Sequence, residues 1–313
     1  MQAIFDLDIG YLGLCALSVI GAIAYGLLIG GIIRKVMARI QSRIGPPVWQ
    51  PYLDVAKLFF QRTSIRHGMM FYLAPVFRTV GGIGIYLLIP IVAGMPGLAG
   101  FSFNGDVLLV IYFMFFGCLG MALGAGESGH PHAIIAVSRG LSQMSSYELP
   151  FSLALIALVA QVGTFSISGI IEAQAGGIGN WYLFMNPLAG VAGLLSFLGM
   201  QMYSPFNIVL APQEIPIGPP TEYNSTFLGL MMSGRAIFGV AKSALFMNLF
   251  LGGATSIPEA MIKIFIVYMW AVFVGAVFPR FRAEQSVRFF LRWPTWFGLA
   301  GIALAMVLKH LAS

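Results

Sequence analysis

Charge is what this chain has least of. Only 9% of its 313 residues are Asp, Glu, Lys or Arg, against 58% hydrophobic and a mean hydropathy of +0.88. That leaves too little polar surface to coat a soluble globule. Cysteine is nearly absent too. Cys15 and Cys118 both fall inside apolar runs, so no disulfide framework is expected, and two thiols cannot complete the ligand set of an iron–sulfur cluster. His67, His130, His132 and His310 sit in loops or near the ends of apolar runs, an arrangement that does not suggest a haem held between helices. There is no glycine loop with a following Lys to cradle a phosphate. The chain is read as binding no metal and as having no redox or nucleotide chemistry of its own.

What is present is apolar length. A helix needs roughly 20 apolar residues to cross the hydrocarbon core, and runs near that length occur at 10–33, 72–93, 106–126, 149–170, 183–204, 226–252, 257–278 and 294–311. The expected fold is an all-α polytopic membrane protein of about eight transmembrane helices, forming a single membrane domain over residues 1–313. Its cytoplasmic-side loops fall near 34–71, 127–148, 205–225 and 279–293. Thirteen of the seventeen Lys and Arg lie in the connections after the first, third, fifth and seventh spans, counting Arg78 at the edge of the second span, and the opposite connections hold none. By the positive-inside rule both termini face away from the cytoplasm, with Asp6 and Asp8 at the start, in a cytoplasmic (inner) membrane. The net charge of +6 is therefore a topology signal, with the lipid bilayer and no nucleic acid implied as partner. The first run lacks a basic leader and ends in a basic stop, so it is expected to remain as a span.

Three segments on the basic side are too organised to be plain connections. In the first, Gly45-Pro46-Pro47 stops a helix, and after Pro51 the residues Asp54, Lys57 and Gln61 fall opposite Tyr52, Leu53, Phe59 and Phe60. That spacing predicts a short amphipathic interfacial helix with an Asp54/Lys57 pair on its polar side. The second, Pro205 to Tyr223, has no Lys or Arg, carries Glu214 and Glu222, and holds prolines at 205, 212, 216, 219 and 220. Irregular backbone at membrane depth is tolerated only where protein buries it or water reaches it, so a cavity wall or docking surface is favoured over a free loop. In the third, Phe278 to Pro294, Glu284, Arg288 and Arg292 are spaced for a helix-surface ion network behind Arg280 and Arg282.

Charges inside spans cost several kcal/mol unless paired or hydrated. Arg235 and Lys242, seven apart in the sixth span, should point into the bundle, while Lys263 can snorkel outward. Glu127 and Glu148 bracket the third connection, with Arg139 and Gln143 between them at i, i+4. Acids at the cytoplasmic mouth and bases deeper in suit a proton or ion path. Structural ion pairing between helices is the competing account.

Taken together these segments resemble the respiratory complex I subunit that joins the membrane arm to the peripheral arm (the subunit 1/H family), and its relatives in membrane-bound nickel–iron hydrogenases. The resemblance spans nearly the whole chain. It rests on ARIQSRIGPP (38–47) with QPYLDVAKL (50–58), LAPVF (73–77), SRGLSQMSSYELP (138–150), PFN, APQE and TEY within 205–223, LFLGG (249–253) and FPRFRAEQ (278–285). It implies a non-catalytic subunit lying beneath an iron–sulfur cluster held by a neighbour and coupling electron transfer to H+ or Na+ movement. The implied partners are a hydrogenase-like large subunit, an iron–sulfur small subunit and antiporter-like membrane subunits, with any nickel–iron centre on those chains.

By resemblance, Glu148, Glu214 and Glu222 match the family's acidic chain. Asp54 and Lys57 match a first-loop helix at the chamber mouth, behind Arg39 and Arg43. Arg280, Arg282, Glu284 and Gln285 match the loop that meets the peripheral subunits. Departures from the family pattern are Asn207 in place of Asp, Leu210 and Pro212 in place of Glu, and Arg235 in place of a sixth-span Glu. These favour the hydrogenase-type branch over a standard quinone site. A diverged quinone-binding chamber, and a stand-alone transporter with a basic pathway, are the alternatives.

Overall fold

The computed structural model describes residues 9–63, 67–210, 214–215 and 218–312. Asp6, Asp8 and Arg66, together with Ala211, Pro212, Gln213 and Pro216 of the proline-rich segment, lie outside them. The described residues form α1 (Ile9–Ile40), α2 (Gln50–Phe59), α3 (Met69–Leu88), α4 (Asp106–Ser128), α5 (Pro131–Val162), α6 (Ile167–Ala173), α7 (Tyr182–Met185), α8 (Pro187–Gln201), α9 (Ser225–Phe250), α10 (Ile257–Val277) and α11 (Ala283–Ala312). Among them α1, α3, α4, α5, α9, α10 and α11 are long and apolar enough to cross a membrane. The fifth expected span, 183–204, is instead broken at Asn186. Pro187 opens the 15-residue α8 while the Asn186 side chain accepts the Ala189 N–H.

Two other expectations are corrected. The fourth helix begins at Pro131, and so most of the expected loop 127–148 is helical; the last begins at Ala283 and runs through Pro294. Proline removes one backbone donor and orphans the carbonyl four residues back. In α11 that carbonyl belongs to Phe290, and the Thr295 hydroxyl supplies the missing donor at 2.9 Å. In α3, Pro75 frees the Phe71 carbonyl, and the Tyr223 hydroxyl reaches it at 2.8 Å with the two rings stacked. The helix continues in both cases because a side chain stands in for the lost N–H.

α9 lies at the centre, packed on α1, α2, α3, α8 and α10. Small residues set the closest approaches. A Cβ on Gly81 would lie 2.9 Å from the Gly117 nitrogen, and one on Gly120 would lie 2.7 Å from the Ala74 carbonyl oxygen, so α3 and α4 touch backbone to backbone. A Cβ on Gly31 would lie 1.8 Å from the Val48 carbonyl oxygen, pinning the first loop to α1. The amphipathic α2 forms where expected, and Tyr52 donates to the Ala24 carbonyl of α1. Its acid does not pair with Lys57. Asp54 binds Arg34 at 2.9 Å and Gln50 at 2.8 Å, because the end of α1 runs alongside it.

Candidate functional site

The proline-rich segment is tied to every other connection on its face. Ser204 donates to the Phe278 carbonyl, and the Phe281 amide donates to the Pro205 carbonyl, both at 2.9 Å. Phe206 is fully buried against Phe281, Phe289 and Phe290, and Gln143 donates to its carbonyl at 2.8 Å. Ser225 donates to the Arg62 carbonyl at 2.7 Å, and Glu222 meets His67 at 2.8 Å. Glu214 stands between Arg139 of α5 at 2.5 Å and Arg280 ahead of α11 at 2.8 Å. The hydrogen bond from Arg139, with Arg280 beside it, holds the Glu214 carboxyl below the usual carboxylate range. Arg139 and Gln143, expected as an i, i+4 pair, both turn to this segment.

Beneath the segment lies a cavity of about 130 Å3. Val209, Leu210 and Pro220 roof it, and Arg78, Arg235 and Lys242 line it together with Cys118 and Met121, Met200, Met202, Met231 and Met232. Arg235 and Lys242 both line this cavity, Lys242 half-buried and Arg235 exposed. Arg78, counted as a loop charge, joins them because it lies within α3, three residues after Pro75, and lines the cavity. Lys242 donates to the Met200 carbonyl and lies 4.8 Å from the Phe238 ring centre, and Arg78 approaches the Met121 sulfur.

The remaining candidates do not converge on this cavity. Glu148 is half-buried in α5 without an ion pair, within electrostatic reach of Cys118 and Tyr147. Glu127 accepts the Met70 amide at 3.2 Å and so caps α3. Burial pushes the Asp54 carboxyl up, but its bonds to Gln50 and Arg34 outweigh this and hold it low. Arg39, Arg43, Lys57, Arg282, Glu284 and Gln285 are exposed on the loop face. Glu284 pairs with Arg288 at 2.5 Å, and Gln285 accepts the Arg282 amide at 3.0 Å. Arg292 lies over the Trp293 ring and not in that pair. Lys263 reaches Glu259 and the Leu251 and Gly253 carbonyls at the end of α9. Among the described residues, no three metal-ligating side chains gather.

A family model described as NADH dehydrogenase matches residues 12–306. The chain belongs to this family, subunit 1/H. It is 30% identical over 281 residues to the H subunit of the NADH-quinone oxidoreductase of Protochlamydia amoebophila, covering 82% of this chain and 84% of that one. The corresponding NADH-quinone oxidoreductase chain of Bacillus thuringiensis is 27% identical, covering 98% and 95%. Among solved structures, a chain of the membrane-bound sulfane sulfur reductase, an archaeal respiratory membrane complex, superposes with a TM-score of 0.87 at 33% identity. That match covers 95% of this chain and all of that one. This subunit 1/H chain is accordingly a membrane subunit of a complex I-like respiratory complex.

Proposed function

We propose that this subunit anchors a peripheral redox arm and couples electron transfer there to the movement of H+ or Na+ across the membrane. The observation that carries the reading is Glu214, whose one carboxylate holds the third and seventh connections to the proline-rich segment between them. A charge change in a cluster above this segment would be felt by that bridge, and through α5 by Glu148. In this reading Glu148, Glu214, Glu222, Glu127, Arg139, Arg235 and Lys242 form the coupling path. Asp54, Lys57, Arg39, Arg43, Arg280, Arg282, Glu284 and Gln285 face the arm. The loop face is cytoplasmic, both termini lie opposite, and residues 1–313 act as one membrane domain.

The partners we propose are a hydrogenase-like large subunit, an iron–sulfur small subunit and antiporter-like membrane subunits, which carry the clusters and any nickel–iron centre. A quinone is not assigned to this chain. The cavity beneath the segment, at about 130 Å3, is well below the roughly 300–1,000 Å3 of a small-molecule site, and three cations line it, so a quinone bound there would need walls from a neighbour. The deciding experiment replaces Glu148 and Glu214 by Gln in inverted membrane vesicles. Loss of ion uptake with redox turnover retained, or loss of both, supports coupling. Wild-type levels of both would refute the path. Turnover that requires added quinone and stops with quinone-site inhibitors would favour the quinone reading.

A further inference from the structure

Three cations share the cavity beneath the proline-rich segment, and no acid lines it. Arg78, Arg235 and Lys242 lie within electrostatic reach of one another. None of them pairs with a carboxylate among the described residues. Glu148 acts on Cys118 and Tyr147 but forms no ion pair with these three. Their protein partners are a backbone carbonyl, a phenylalanine ring face and a thioether sulfur, which solvate a cation without neutralising it. Repulsion among like charges is costly where water is scarce, and Arg78 and Lys242, both half-buried, persist as charges only when paired or hydrated.

We propose that this cavity is a binding site for one small, soft, monovalent anion held by Arg78, Arg235 and Lys242. The size suits this ligand. A water occupies about 30 Å3, so about 130 Å3 takes a halide-sized ion with a few waters. The lining suits it also. Five methionines and Cys118 present polarisable sulfur rather than water-like oxygen. A weakly hydrated anion such as bromide or iodide gives up less hydration on entering than fluoride does. The lining residues Val209, Leu210 and Pro220 belong to the described part of the segment that Glu214 holds. The proposal does not depend on which ion the complex moves or on whether Glu148 carries protons.

The test uses the intact purified complex with bromide as the probe. Anomalous diffraction at the bromine edge should give one peak among Arg78, Arg235 and Lys242. In parallel, thermal unfolding at fixed ionic strength should rise saturably when gluconate is replaced by halide, in the order iodide, bromide, chloride, fluoride. Arg235→Met and Lys242→Met should each weaken that halide dependence about tenfold, the effect of losing one charged hydrogen bond. If either variant fails to assemble, the wild-type bromide map still decides. A cavity with water alone at saturating bromide, a partner subunit's carboxylate between the three cations, or unfolding indifferent to halide would each overturn the proposal.

Discussion

Glu214 is the residue on which the loop face depends most visibly, and its behaviour with pH follows from its partners. Because Arg139 and Arg280 lower its folded pKa, its contribution is complete above the unfolded carboxylate value of about 4.3 and is lost as the pH falls through the lower folded value. Protease cleavage within residues 205–223 should therefore stay slow down to about pH 4.3 and accelerate below it. Glu214→Gln should cleave quickly at every pH, so a flat, protected profile in that variant would contradict the bridge. That Glu214 and Glu222 pair outside their own segment agrees with its composition, since the segment has no bases of its own. Arg78 could not be placed from the sequence. Its position in the sequence fits a loop-edge charge, and only the packing of α3 against α4 and α9 places it beside Arg235 and Lys242.

Helices are where hydropathy helped and then misled. The apolar runs located six of the seven long helices closely at one end or both, but α5 and α11 begin 18 and 11 residues before their expected starts of 149 and 294. Hydropathy marks where lipid begins, whereas a helix goes on wherever its backbone bonds can be made. Pro294 stood at the expected start of the last span, and nothing in sequence announces that Thr295 replaces its missing donor. This gives a direct prediction. Thr295→Val and Tyr223→Phe each leave a buried carbonyl unpaired and should destabilise the protein by about 1–3 kcal/mol, visible as a lowered unfolding midpoint of the purified complex. Little change in either would mean that water serves those carbonyls equally well. Gly31→Ala should act more severely. Its Cβ would strike the backbone at Val48, with no side chain able to yield, and so the first loop must leave α1. Loss of assembled complex from membranes is the expected result.

At the scale of the molecule, the parity of the basic connections anticipated that segments distant in sequence would share one face. The bonds from residues 204–225 to Arg62, His67, Phe71, Arg139, Gln143, Phe278 and Arg280 bear this out. Which side chains would meet there depended on helix rotation and on loop path, which no spacing rule supplies. The face also bears exposed Arg39, Arg43, Lys57, Arg282 and Arg288. A peripheral arm held partly by these charges should dissociate from membranes as salt shortens the screening length from about 8 Å at physiological strength to about 3 Å at 1 M. Retention of the arm in washed membranes at high salt would show that apolar contacts dominate instead. α5 itself has a mechanical implication. At about 1.5 Å per residue its 32 residues reach about 48 Å, against about 30 Å of hydrocarbon. It is one continuous helix from the far leaflet to the acidic segment, with a backbone donor missing at Pro150. Arg139 stands about 35 Å along it from Val162, so tilting the helix by about 5° about that end swings the guanidinium through about 3 Å. That is as far as a hydrogen bond is long, and a motion barely visible in the lipid is enough to unlatch Glu214 above it.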